Sequence, residues 1–573
     1  MPNNSISGAD ALVRCLENQG VDRVYGLSGG AALPIFDAMV HSKIDLILVR
    51  HEQGASHMAD GYARSTGSPG VVLVTSGPGA TNTLTGVMTA HMDSVPMVVL
   101  TGQQIRPMLG KDAFQEADIY DISMPVVKHS YLVKEAEDIP RVVREAFHIT
   151  NTGRPGPVLI DLPKDVTQGP FEGDLYPEMD LPGYSPNGQD FDKELVFPIA
   201  EALSKSKKPV ILAGHGVLIA GAHAELTALA AKLKAPVVTT LLGKGAIPET
   251  HDLSLGMLGM HGTAYANKAM VECDLVISIG SRYDDRIIGE APQFCANATR
   301  IHVDVDKSEF GRMIKCHHYC EGDAKTVITE LTKHVGELNT ESWLKHLDGY
   351  KKKYPLKYQK GGGLKMQHIL DVLNDMTRGD AIISTDVGQH QMWAAQFCKT
   401  IYPGSWLSSG GAGTMGYGFP AAIGAQFGNP DKEVWAVVGD GGFQMTMSEL
   451  ATAAINKLPV KVIVLNNSYL GMVRQWQELF FEERESGVDL VGNPDFAKIA
   501  DAYPGAMGLT LKRQADIRKV LQRARDFKDG PVVVNAIVEK VGNVFPMIPA
   551  GSPLESMLIE APTEKLAKPT GST

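Results

Sequence analysis

Asp440 and Asn467 stand 27 positions apart, each just past the end of an apolar, β-branched run. The first run, residues 433–438, reads Glu-Val-Trp-Ala-Val-Val and leads into Gly439-Asp440-Gly441-Gly442. The second, residues 460–465, reads Val-Lys-Val-Ile-Val-Leu and leads into Asn466-Asn467. This is about the spacing of a strand–helix–strand crossover, which opens both loops at one carboxyl edge of a parallel sheet, where doubly wound folds bind ligands. A carboxylate and an amide oxygen are hard ligands suited to Mg²⁺, which shares its shell with phosphate. Gly441 and Gly442 let main-chain N–H groups approach such a phosphate, and a helix expected to start near Gln444 adds its dipole. Alone, Gly-Asp-Gly is a tight turn after a buried strand. The distal Asn pair is what turns it into a metal–diphosphate site in outline.

That outline resembles the thiamine-diphosphate enzyme signature, whose chemistry needs a carboxylate against the aminopyrimidine ring. Glu52 is the candidate, in Arg50-His51-Glu52-Gln53-Gly54-Ala55, where a strand ends and a helix begins with Ala55, Ala59 and Ala63 spaced for close packing. A carboxylate buried there suits proton exchange with a weakly basic ring. Without the downstream motif, Glu52 reads as a helix-start acid favoured by the dipole. Gly388-Gln389-His390-Gln391, after Ile382-Ile383-Ser384-Thr385, is placed to meet the diphosphate. His390 by itself is as easily a core or helix-start histidine.

The motifs together identify a family. The chain resembles, from about residue 10 to about residue 551, the catalytic subunits of the acetohydroxyacid (acetolactate) synthases. The segments carrying the resemblance are 50–55, Thr75-Ser76-Gly77-Pro78-Gly79, Asp112-Ala113-Phe114-Gln115-Glu116-Ala117-Asp118 and Met257-Leu258-Gly259-Met260-His261-Gly262. Further along are Val387 to Met392, Gly413-Thr414-Met415-Gly416, and Leu470-Gly471-Met472-Val473-Arg474-Gln475-Trp476-Gln477. The resemblance implies decarboxylation of pyruvate on thiamine diphosphate and transfer of the two-carbon unit to a second 2-ketoacid, pyruvate or 2-ketobutyrate, the first common step of branched-chain amino acid synthesis. It implies Mg²⁺ on Asp440, Asn467 and the Tyr469 carbonyl, and diphosphate on Gly388, Gln389, His390, Gly439, Gly441 and Gly442. Gly413 and Met415 would support the cofactor, Met415 as an apolar wedge. Phe114, Gln115 and Met472 would line the substrate side, Arg286 would meet the acceptor carboxylate, and Trp476 would favour the larger acceptor. FAD, without redox use, would lie against Arg154, His261, Gly262, Gly280, Arg282, Asp304 and Asp323. A homodimer or tetramer follows, with Glu52 of one subunit facing Asp440 of another, as does a possible regulatory small subunit.

Three positions depart from the family pattern: Ser28 and Ile105 stand where relatives have proline, and Lys111 where they have a small hydroxyl residue. All lie on loops expected at the substrate channel, so they bear on acceptor choice and inhibitor sensitivity. The alternative function is another thiamine-diphosphate ligase or decarboxylase, or a pyruvate oxidase, with a different acceptor.

The chain's 573 residues are too many for one core. The fold expected is α/β, three doubly wound Rossmann-like domains with mainly parallel sheets: 1–180 for the aminopyrimidine, 193–345 for FAD, 365–545 for diphosphate and metal, and a tail over 546–573. The linkers are expected at 171–192 and from Lys351 to Gly363. No clean dinucleotide fingerprint follows a strand in the middle unit. Apolar content of 44% and charged content of 21% are ordinary for a globular protein, and a net charge of −11 argues against non-specific nucleic-acid binding. There is no spanning apolar run and no secretory leader, so the expected location is cytoplasmic, with no membrane partner and a processed organellar leader as the open alternative. Six cysteines make no disulfide framework, and Cys316-His317-His318-Tyr319-Cys320 reads as a loop after a helix.

Overall fold

The computed structural model describes residues 6–184 and 191–562. Three six-stranded sheets, parallel throughout, carry the fold, and a two-stranded antiparallel pair joins Ile6–Ser7 to Pro170–Phe171. The strands read as unbroken apolar runs because helices cover both sheet faces; Gly70–Val74, Pro209–Ala213 and Val434–Gly439 are buried at every position.

The first and third sheets share one topology. Numbering strands within each unit, the order is 2-1-3-4-6-5 in both, with Arg23–Leu27, Gly70–Val74 and Met97–Gln103 as strands 1, 3 and 4 of the first. Their counterparts in the third are Ile382–Thr385, Val434–Gly439 and Lys461–Asn466. The order reverses between strands 1 and 3, so a crevice opens outside their carboxyl ends. The middle sheet has order 3-2-1-4-5-6, reversing between Pro209–Ala213 and Leu275–Ile279.

Within one chain the first and third units pack on each other. The helix Glu52–Thr66 lies against the helix Gly418–Gly428, and residues such as Val72 and Val99 share a core with Ala436 and Val462. Gly61 and Gly424 make the approach possible: a Cβ on either would fall well inside contact distance of the Ala421 or Met58 carbonyl oxygen. A buried charge network closes the joint. Arg64 bonds Asp60 at 2.6 Å and Asp93 at 2.8 Å, Tyr417 donates to Asp60, and Asp93 accepts the N–H groups of Gly410 and Gly411.

Four local expectations change. The Asp440 helix begins at Asp440 itself, not near Gln444. Lys351–Lys353 end the helix Glu341–Lys353, which is held by buried Trp343 and Leu347, so the basic run is not linker. His318–Glu321 is the edge strand of the middle sheet rather than loop, and among the described residues no group of three or more His, Cys, Asp or Glu could hold a metal. Phe171 is paired in a strand; residues 185–190 of the expected linker and 563–573 of the tail lie outside the described residues.

Candidate active site

One cavity of about 1280 Å³ runs from the carboxyl edge of the third sheet to that of the middle sheet. At its third-sheet end, Gly388 follows strand 1, Gly439-Asp440-Gly441-Gly442 follows strand 3, and Asn467 follows strand 4; all line it. Asp440 is the first residue of the helix Asp440–Thr446, so the N–H groups of Gly441 and Gly442 have no intrahelical acceptor. Asp440 is 1% exposed, and burial pushes its carboxyl up to about 6. Its partners are neutral: the Asn493 amide lies 2.6 Å from Oδ2, and the main-chain N–H groups of Ser468 and Gly441 also donate to the carboxyl. A buried carboxylate without a cation is a costly arrangement that a divalent ion relieves. Asn467 Oδ1 accepts the Tyr469 N–H at 3.1 Å across Ser468, whose φ of 56° turns the chain and brings Tyr469 to the cavity wall. Asp440, Asn467 and Tyr469 therefore converge.

The residues expected to meet a diphosphate stand together at this end of the cavity. His390 is buried with Nε2 unpartnered, and burial drives the imidazole down to about 3, so it is neutral with a free ring nitrogen. A Cβ on Gly439 would sit 2.8 Å from His390 Cε1, and one on Gly441 2.8 Å from Leu470 Cδ2. A side chain at either place would require His390 or Leu470 to move. Met415 lines the cavity on a turn whose Gly413 and Gly416 have φ of 60° and 90°, and its Cε lies 3.5 Å from where a Gly441 Cβ would be.

Gln389 also lines the cavity, but its amide donates to Gln475 Oε1 at 2.8 Å and to the Gly542 carbonyl at 2.6 Å. Both amide hydrogens are spent, so its side chain ties segments together rather than offering donors to a phosphate. Gln475 is fully buried, as is Arg474, and both bond residues 542–544. They fix the back of the helix Gly471–Phe480 and turn Met472, Val473 and Trp476 to the cavity. Trp476 packs on Phe480 with ring centroids 5.2 Å apart.

At the middle-sheet end lie His261, Gly280, Arg282, Arg286, Asp304, Asp323 and Arg154. The His261 ring is buried, with the Pro546 carbonyl its one near acceptor among the described residues, and burial holds its imidazole down at about 4. Gly280 (φ 61°) and Gly216 let two turns meet across the point where strand order reverses. Those features fit a long polar ligand. Several expected contacts already have partners: Arg154 bonds Ser94 and Glu309, Arg282 pairs with Asp284, and Asp323 caps the helix Ala324–His334. Asp304 accepts the Asp306 N–H. Arg286 is more than half exposed, 3.7 Å from Asp285. Gly262 does not line the cavity; its place is set by Leu258, which a Cβ would strike.

Glu52, Phe114 and Gln115 do not line that cavity either. They gather at the carboxyl edge of the first sheet. Glu52 is 7% exposed and accepts the Asn82 amide at 2.9 Å. The turn at Gly77 (φ 57°) and Gly79 lies between: a Cβ on Gly79 would be 3.5 Å from Glu52 Oε1, and one on Gly77 2.7 Å from the Gln115 carbonyl oxygen. Phe114 is 83% exposed, and Ser28, Ile105 and Lys111 are exposed on the surrounding loops. Within one chain, then, the Asp440 cavity and the Glu52 edge are separate. Asn493, Asp386, which accepts the N–H groups of Gly416 and Gly418, and the Gln389–Gln475 tie were not picked out from sequence. Gln475 sits inside a recognised motif, whereas Asn493, in an irregular loop, leaves no signal.

All three parts of the thiamine pyrophosphate enzyme family are matched: its N-terminal TPP binding domain over residues 6–122, its central domain over 197–331 and its C-terminal TPP binding domain over 386–536. The acetolactate synthase large subunit IlvB1 of Mycobacterium tuberculosis is 47% identical over 560 residues, covering 96% of this chain and 90% of that protein. The chain belongs to the acetolactate synthase large-subunit family. The acetolactate synthase large subunit of Haemophilus influenzae is 44% identical, covering 98% of this chain and 99% of its own length. That of Corynebacterium glutamicum is 46% identical over 559 residues. Glu52 and Gln115 fall within the matched N-terminal TPP binding domain, Asp440 and Asn467 within the C-terminal one, and His261 and Gly280 within the central one.

Proposed function

We propose that the chain forms acetolactate and its homologue from pyruvate and a second 2-ketoacid, using thiamine diphosphate and Mg²⁺. Convergence of Asp440, Asn467 and Tyr469 on a glycine cradle at the strand-order reversal carries this reading. Bound thiamine diphosphate supplies the electron sink that lets a 2-ketoacid lose CO₂. Asp440, Asn467 and the Tyr469 carbonyl would hold Mg²⁺. His390 Nε2 and the N–H groups of Gly441 and Gly442 would hold the diphosphate, and Met415 would prop the cofactor between its two ends. Glu52, steered by Asn82, would hold or release a proton at the aminopyrimidine. Met472 and Trp476 would size the acceptor, and Arg286, largely unpaired, would meet its carboxylate.

Because Glu52 lies outside the cavity of its own chain, the site is read as shared between two copies, Glu52 and Gln115 from one and the cavity from the other. Exposed Phe114, Leu48 and Met108 around the Glu52 edge supply apolar surface for that contact. The His261 end of the cavity is read as a flavin site, with FAD in a structural part. The words "large subunit" in the relatives' names support a smaller partner subunit as well.

The test is product analysis of purified protein with thiamine diphosphate, Mg²⁺, FAD and pyruvate, with and without 2-ketobutyrate, beside Glu52→Ala. Acetolactate from the native protein, lowered at least about 100-fold in the variant, is the result expected when a positioned acid–base group is removed. Acetaldehyde, acetyl phosphate or no product would refute the reading.

A further inference from the structure

Glu449 is nine positions beyond Asp440 and closes the short turn Met447–Glu449 that continues the Asp440 helix. It is completely buried and does not line the cavity. Its carboxylate accepts the main-chain N–H of Arg50 at 3.1 Å, the N–H of His51 at 3.0 Å and the Thr452 hydroxyl at 2.7 Å. Arg50 and His51 are the turn that delivers Glu52: His51 caps the helix Glu52–Thr66, its ring accepting the Gln53 N–H at 3.1 Å. Main-chain donors just ahead of a helix find no partner within it, and a carboxyl oxygen accepting two of them fixes the turn.

Gly54 shows the same fit from the other side. A Cβ there would lie well inside contact distance of Glu449 Oε1 and 2.8 Å from Cδ. The glycine two residues after Glu52 is what admits the carboxylate. Glu449 therefore reaches from the third unit into the first and grips the segment on which Glu52 stands.

We infer that Glu449 is a positioning residue for Glu52. The inference rests on the reading of Glu52 given above and gives the third unit two duties. The front of its Asp440–Glu449 segment serves the metal in its own cavity. The rear holds its own chain's Glu52, which serves the cavity of the other copy. Glu449 then acts on the site to which its chain contributes Glu52, not on the site to which it contributes Asp440.

The experiment uses the full chain with Glu449→Gln and, separately, Gly54→Ala. The amide replaces one acceptor oxygen with a donor facing two N–H groups; the alanine pushes the carboxyl away while keeping both its oxygens. Amide hydrogen exchange is followed over residues 48–55 in cofactor-free protein, together with thiamine-diphosphate affinity in Mg²⁺ and hydrogen–deuterium exchange at C2 of the bound cofactor. Both variants are expected to exchange the Arg50 and His51 amides faster and to slow C2 exchange about 10- to 100-fold, as misplacement of a reacting group by about 1 Å does. Cofactor affinity should stay within about threefold, because the metal and diphosphate ligands are untouched. Placing Glu449→Gln on one chain of a mixed dimer whose other site is disabled by Asp440→Ala assigns the effect: it must follow the chain that gives Glu52. Normal C2 exchange in both variants, or an effect that follows the chain giving Asp440, would overturn the inference. Normal C2 exchange in Glu52→Ala would instead overturn the reading of Glu52.

Discussion

At the scale of single residues, the proposed reading gives Trp476 the choice of acceptor. It lines the cavity on a helix whose far side is locked by Arg474 and Gln475. Its ring therefore has a fixed position from which to fill space beside the acceptor's alkyl end. Trp476→Leu is expected to lower the preference for 2-ketobutyrate over pyruvate about tenfold, inside the roughly 10- to 200-fold that one methylene commands in an apolar pocket. Competition between the two ketoacids in one vessel measures it, and an unchanged product ratio would contradict it. The places of Asp440, Asn467 and Glu52 just past strand ends were legible in sequence, because each follows an apolar run with a polar side chain. Gln389 was legible as a cavity residue but not as a tie, since its partner Gln475 is 86 positions away. Asn493 left no trace, because its bond to Asp440 depends on where an irregular loop returns.

Elements bring those residues together, and the tightest junction is between the helices Glu52–Thr66 and Gly418–Gly428. Gly424→Ala gives the helix a better former, worth about 1 kcal/mol in an open position. Here the new Cβ meets the Met58 carbonyl well inside contact distance. Overpacking of this kind costs about 1–3 kcal/mol, so the variant should unfold at lower urea concentration than the native chain. Gly349, inside the helix Glu341–Lys353, has nothing within 4 Å of its would-be Cβ, and Gly349→Ala should be neutral or stabilising in the same assay. Equal behaviour of the two would refute this account of the junction. The three parallel units were legible from apolar runs alternating with helical patterns. The order of the strands was not, because a parallel crossover leaves no record of which neighbour it reaches. The basic run at Lys351–Lys353 misled because charge says where a surface is, while Trp343 and Leu347, earlier in the same helix, make the contacts that hold it.

At the scale of the whole molecule, the cavity that Asp440 lines and the sheet edge that carries Glu52 are separate within one chain. The sheet edge carrying Asp440 and Asn467 opens into a cavity of about 1280 Å³, while Glu52 stands at another sheet edge ringed by exposed apolar residues. Nothing local in the sequence announces that separation; only the resemblance implied it, and it follows from how the first and third sheets pack within one chain. The most direct test is complementation between Glu52→Ala and Asp440→Ala, each inactive alone, coexpressed as differently tagged chains. Random pairing into two-fold dimers should restore acetolactate synthesis to about a quarter of the native rate, because half the dimers are mixed and each carries one intact site. No recovery beyond the two single variants would place Glu52 and Asp440 in one chain's site and contradict the account.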